Sequence, residues 1–267
     1  MEASLLTAAL GAVIGAILAA TGAGGGILAV PMLVFGLHLD VAQAAPMGLI
    51  AVGMSAAVGA GLGLRDGIVR YRAAALIGVL GMAVAPLGVA LAGRLPNPPL
   101  MTAFALVLAL NAWRTLRRAG TAAPGAVRPP CVLHPQQGRL RWTRPCARAL
   151  AAIGALSGLL SGLLGVGGGF VIVPALRRYT DLTARSILAT SLAVIALVSA
   201  GAITAAAARG RVDWGMALPF ALGAVAAMLA GRRFVAAAHP ARLQRLFALV
   251  SMAAAGLMLW RAFTGAA

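Results

Sequence analysis

Apolar residues run along this chain in long blocks separated by short polar or glycine-rich breaks. Blocks at 41–64, 72–93, 99–117, 183–208, 214–236 and 241–262 are long enough to cross a hydrocarbon core of about 30 Å as helices, which takes roughly 20 residues each. Two regions depart from that length. Residues 4–21 form an apolar helix of marginal spanning length, followed by Gly22-Ala23-Gly24-Gly25-Gly26 and a short run to Leu37. Residues 149–164 do the same, followed by Gly165-Val166-Gly167-Gly168-Gly169 and a short run to Arg178. Each short run holds about a dozen residues, so as a helix it reaches only about 18 Å and cannot cross. The pattern predicts an all-α, polytopic membrane protein.

The two interrupted regions are copies of one another. A gapless shift of 143 residues lays Gly11 on Gly154, Gly15 on Gly158, Gly22 on Gly165, Gly24-Gly25-Gly26 on Gly167-Gly168-Gly169, and Val30-Pro31 on Val173-Pro174. The register continues through Leu39/Leu182, Val69/Val212, Gly88/Gly231 and Phe104-Ala105 on Phe247-Ala248. A glycine cluster and a proline in unbroken register mark an internal duplication. The chain therefore divides into a first transmembrane repeat (1–117), a connector (118–147) and a second transmembrane repeat (148–267). The connector carries Pro124, Pro129, Pro130, Pro135, Pro145 and five arginines, which make it polar and interrupted rather than a third domain.

Composition agrees. Only 10% of the 267 residues are charged, against 61% hydrophobic, where soluble domains carry about 25% charged residues. The formal charge of +17 is all arginine and sits between apolar blocks. It reads as a topological signal, with arginines marking cytoplasmic loops and meeting anionic headgroups, and not as a nucleic-acid surface. With the connector in the cytoplasm and three net crossings per half, 18 arginines fall inside, while Arg94, Arg209, Arg211 and Arg261 fall outside. This works only if each glycine-broken region is a re-entrant hairpin that enters and leaves on one side. Three crossings per half then place the halves in opposite orientations, as inverted repeats flanking a midplane site, an arrangement typical of transporters. The chain opens Met-Glu-Ala-Ser without a basic signal-peptide segment, so its first apolar stretch is expected to be retained. Cys131 and Cys146 fit neither a zinc site nor a disulfide framework and are expected to be free thiols in a reducing cytoplasm.

The chemistry follows from the breaks. A helix N-terminus presents free N–H groups and about half a positive charge, and glycines before it let the backbone approach a ligand or adopt positive φ. Gly24, Gly25 and Gly26, with Gly167, Gly168 and Gly169, are therefore candidate substrate-binding residues at the openings of two half-helices. Gly22, Pro31, Gly165 and Pro174 are expected to shape the site. Gly11/Gly15 and Gly158/Gly162 have the small-xxx-small spacing of helix packing. Thr190 and Ser191 could add hydroxyl donors to the substrate or bond their own helix; Ser55, Ser157, Ser161 and Thr204 read as structural. Arginines at the mouths could attract anions or simply anchor loops.

At the two G-x-G-G-G segments followed five residues later by Pro31 or Pro174, the chain resembles the TauE/SafE family of sulfite and organosulfonate exporters. Ala189-Thr190-Ser191-Leu192 looks like that family's small-Thr-Ser element, while the aligned Pro46-Met47-Gly48-Leu49 departs from it. The resemblance covers nearly the whole chain and implies a bacterial-type inner-membrane carrier, most simply an exporter, of small sulfur-containing or carboxylated anions. An anion-selective channel is the alternative, sharing the glycine-lined site without alternating access. No carboxylate or histidine lies mid-helix, so neither catalytic residues, nor a metal site, nor a cofactor, nor a side-chain proton relay is expected. The expected partners are a small anion and the lipid bilayer, with no nucleic acid and with homo-oligomerisation left open.

Overall fold

The computed structural model describes residues 2–118, 131–132, 142–234 and 240–264. Most of the connector, with Pro124, Pro129, Pro130, Pro135 and His134, lies outside the described residues, as does His239. The described residues form ten α-helices and a 3₁₀ segment: α1 (Glu2–Thr21), the 3₁₀ segment (Gly22–Leu28), α2 (Ala29–Gly36), α3 (Val41–Arg65), α4 (Tyr71–Ala92), α5 (Asn97–Arg118), α6 (Arg144–Leu164), α7 (Gly169–Tyr179), α8 (Ala184–Ala207), α9 (Trp214–Phe234) and α10 (Pro240–Thr264). Among the described residues, seven helices (α3, α4, α5, α6, α8, α9 and α10) are long and apolar enough to cross a membrane. The protein is thus an all-helical, multi-pass membrane protein.

Helix starts follow local chemistry. Thr143 caps α6 by accepting from the Cys146 N–H at 3.3 Å, with Pro145 in the first turn, where its missing N–H costs nothing. This cap starts α6 five residues before the predicted 149, inside the stretch assigned to the connector. Thr183 caps α8 through the Ser186 N–H, and Asp213 caps α9 through Gly215 and Met216.

Helices α3 and α8 occupy the middle: 67% and 61% of their apolar windows are buried, against 28% for α9 and 22% for α10. Side chains such as Leu222, Leu257 and Phe263 on those outer helices are exposed, as lipid-facing positions should be. α3 and α8 pass each other antiparallel, with Gly53 against Ser199 and Gly63 against Ala189. Around them, α1 packs on α9, α4 on α6 and α5 on α10.

The duplicated glycines make the two closest of these contacts. A Cβ on Gly11 would overlap the carbonyl of Phe220, and one on Gly15 that of Ala224. In the other half, Gly154 meets the Ile77 carbonyl and Gly158 that of Gly81. The 143-residue shift carries the first pair of contacts onto the second, since it equates Phe220 with Ile77 and Ala224 with Gly81. Packing is therefore the role of these small residues.

Each short helix doubles back on the helix before it. Gly36, at the end of α2, lies against the Leu10 side chain of α1. The end of α7 lies beside the start of α6, where the Cys131 N–H donates to the Tyr179 carbonyl at 3.1 Å and Cys131 is bonded to Cys146. That bond corrects the reading of both cysteines as free thiols. The sequence argument counted cysteines and spacings, whereas the fold brings the connector onto the α6–α7 hairpin and sets the two Cα atoms 5.0 Å apart.

Replacing Gly158 with valine should destabilise the protein by about 1–3 kcal/mol, because its neighbour is backbone that cannot move aside. Gly256→Ala, where a Cβ meets nothing within 4 Å, should be neutral or slightly stabilising. Thermal unfolding in detergent, followed by loss of the monodisperse species, checks both.

Candidate functional site

The two breaks are built differently. After α6, Gly165 (φ 75°), Gly167 (φ 71°) and Gly168 (φ 73°) are left-handed, a conformation costing other residues roughly 1–2 kcal/mol each. Gly165 ends α6 by donating to the Ser161 carbonyl at 2.8 Å, and the first α7 groups to find a helical acceptor are the N–H groups of Val171 and Ile172, both on Gly168. The N–H groups of Gly168, Gly169 and Phe170 precede that turn and by helix geometry have no partner within α7. In the first half the α-helix stops at Thr21, but Gly22–Leu28 winds on as a 3₁₀ segment and α2 opens only at Ala29. Gly24–Gly26 thus precede the half-helix rather than forming its first turn.

The fold brings the two breaks together. Val52 of α3 stands between them, 2.9 Å from a Cβ built on Gly26 and 3.2 Å from one built on Gly167. Gly26 also approaches the Val166 carbonyl, and Gly48 the Gly165 carbonyl. Gly25, Gly26 and Gly165 through Gly169 are all buried. Pro31 is the third residue of α2, where no helical N–H bond is lost, while Pro174 sits inside α7 and leaves the Phe170 carbonyl without its usual donor.

The hydroxyls of Thr190 and Ser191 are both engaged by the protein. Thr190 Oγ1 accepts from the Arg70 N–H at 3.0 Å, at the start of α4, and Ser191 Oγ donates to the Leu188 carbonyl of its own helix at 2.8 Å. A different residue of α8 reaches the break: Ser199, whose Oγ is 3.4 Å from a Cβ built on Gly167. Ser199 Oγ is buried without a hydrogen-bond partner, as are Ser55 Oγ on α3 and Ser161 Oγ at the end of α6. Buried hydroxyls normally find partners, so such exceptions call for a reason. Nothing in the sequence around Ser199 distinguishes it, because its position depends on how α8 crosses α3. Among the described residues no group of three or more metal-ligating side chains is present.

The profile of the sulfite exporter TauE/SafE family matches residues 7–258. The chain belongs to the TauE/SafE family. Two curated relatives from Xylella fastidiosa, each named "Probable membrane transporter protein", are similar along their length. The protein from strain 9a5c is 31% identical over 271 residues, covering 98% of this chain and 97% of the relative. The protein from strain Temecula1 is 30% identical over 274 residues, with the same coverage. No solved structure matches the chain. This TauE/SafE protein is accordingly a membrane transporter, and both of its glycine breaks hold buried glycines.

Ser199→Ala should leave thermal stability unchanged or slightly raised, since it removes a hydroxyl with no protein partner, yet lower substrate flux several-fold in reconstituted vesicles. A loss of stability with unaltered flux would make Ser199 a packing residue.

Proposed function

We propose that this TauE/SafE protein exports small oxyanions of the sulfite, sulfonate and carboxylate type across a bacterial inner membrane. The anion is held between two inverted repeats by backbone N–H groups at the glycine breaks. The observation that carries this reading is the α6–α7 break. Three left-handed glycines end one helix inside the protein and open another beside an unpartnered buried hydroxyl. An anion leaving water must exchange its hydration for donors, and N–H groups at a helix start supply them with a favourable dipole. The antiparallel crossing of α3 and α8, which the 143-residue shift equates, supports opposite orientation of the halves.

The acidic residues of the described helices support a passive carrier. Asp40, Asp66 and Asp213 all stand at helix ends, leaving no carboxylate relay at the midplane. An inside-negative potential already favours anion export by about 2.3 kcal/mol per charge per 100 mV.

Two features bear on sidedness and pull apart. The sequence topology assigns 18 of 22 arginines to the face that carries the connector, which argues for the cytoplasm; the Cys131–Cys146 bond on the same face argues for an oxidising compartment. We assign this face to the cytoplasm, because the charge bias is spread over many loops, whereas the bond is a single local link. A cysteine placed at Gly67 in the loop from α3 to α4, with Cys131 and Cys146 changed to serine, should then resist a membrane-impermeant maleimide in intact cells. Labelling there, with a cysteine at Gly210 protected, would reverse the orientation.

Purified protein in vesicles should catalyse saturable sulfite flux with counter-exchange, and Gly168→Leu or Gly25→Leu should abolish it without preventing membrane insertion. Normal flux in both variants would remove the glycine breaks from the mechanism. Single-channel currents would replace the carrier with an anion channel.

A further inference from the structure

The two ends of the α3–α8 crossing are related by the duplication, yet one is fastened by side-chain bonds and the other holds a cavity. At the arginine-rich end, the loop from α3 to α4 is fastened to the start of α8. Ser186 Oγ donates to the Ile68 carbonyl at 2.8 Å, the Arg70 N–H donates to Thr190 Oγ1 at 3.0 Å, and Arg185 approaches Asp66 at 3.9 Å. The 143-residue shift converts Ser186/Ile68 into Gln43/Arg211 and Thr190/Arg70 into Met47/Asp213. At the opposite end Gln43 and Met47 of α3 make no hydrogen bond to Arg211 or Asp213. They line a cavity of about 560 Å³ between the start of α3, the end of α4 and the loop from α8 to α9.

We propose that this cavity is an outer vestibule that binds small oxyanions, and that Arg211 gives it selectivity for negative charge; its place on the transport path rests on the anion-carrier reading above. Arg211 is exposed and lines the cavity, and its guanidinium makes only a long bond, 3.4 Å, to the Val89 carbonyl. Most of its donors are therefore free to meet a planar or tetrahedral oxyanion, for which the fork of an arginine is well shaped. Gly93 makes room for it, since a Cβ there would overlap the guanidinium. The cavity also contains Asp213, but that carboxylate accepts from the N–H groups of Gly215 and Met216 at the start of α9. The positive end of the helix offsets its charge, so Arg211 sets the sign of the vestibule. Of the other arginines on this face, Arg209 bonds the Ala205 carbonyl of its own helix and Arg261 the Val34 carbonyl. Helix α3 connects the cavity with the second glycine break: Met47 lines the cavity, and the adjacent Gly48 touches the Gly165 carbonyl.

The test places a cysteine at Gln43, with Cys131 and Cys146 changed to serine, and compares modification by an anionic and a cationic methanethiosulfonate of similar size. The anionic reagent should react roughly tenfold faster, the lower end of electrostatic steering into a charged cleft. That preference should disappear in Arg211→Gln, persist in Arg211→Lys, and persist in Arg94→Gln, which changes the same face outside the cavity. Equal rates for the two reagents without further substitution would overturn the proposal. In vesicles, Arg211→Gln in the otherwise native chain should raise the KM for sulfite several-fold with little change in maximal rate. An unchanged KM beside an intact labelling preference would remove the vestibule from the path. A labelling preference in a protein that moves no sulfite would instead uphold the anion site and overturn the carrier reading.

Discussion

A helix that stops partway through hydrocarbon leaves N–H and C=O groups with no water to receive them, at several kcal/mol for each group left unsatisfied. The rest of this structure is arranged around two such stops. Irregular backbone at membrane depth is tolerated only where protein or a polar cavity surrounds it, and here the breaks are enclosed by α3 and α8, the two most buried helices. Val52 from α3 separates them, while Ser199 from α8 borders the second. In the function we propose, the unsatisfied donors that make a broken helix costly in lipid are the groups offered to an anion. A site of that kind, made of backbone, would need no buried arginine or lysine to hold its substrate.

Close packing at the periphery makes this enclosure feasible. Without a hydrophobic drive between helices in lipid, association relies on contact. Gly11 and Gly15 on α1, and their duplicates Gly154 and Gly158 on α6, let each long hairpin arm lie directly on the backbone of a helix from the other half. Each half therefore holds the other's hairpin, and the breaks at the hairpin tips are carried to a common centre. The Ser186 and Thr190 bonds fasten one end of the α3–α8 crossing, while the other end holds a cavity. Positions related by the duplication stand at both ends, which suits the carrier we propose.

Much of this architecture was legible before any coordinates. The block predicted at 41–64 is α3 at Val41–Arg65, and that at 214–236 is α9 at Trp214–Phe234, because a run of apolar residues of spanning length has few alternatives to a helix. The duplication was equally plain, since glycine and proline tolerate few substitutes at a helix break. Other features depended on which helices meet. Ser199 and Thr190 are both hydroxyls on α8, and only the crossing with α3 decides that Ser199 reaches the break while Thr190 fastens a loop. The Cys131–Cys146 bond was hidden because the connector's return onto α7 leaves no mark in spacing. The 3₁₀ path through Gly22–Leu28 was hidden because its glycines match those that turn left-handed in the second copy.

The most direct test of a backbone anion site is the position of the anion itself. Selenite, a heavier analogue of sulfite, can be located by its anomalous scattering in crystals of the protein. Selenium placed so that its oxygens lie about 3 Å from the N–H groups of Gly168, Gly169 or Phe170, beside Ser199, is the predicted result. Selenite bound elsewhere in the chain, with those amides engaged only by protein, would contradict it.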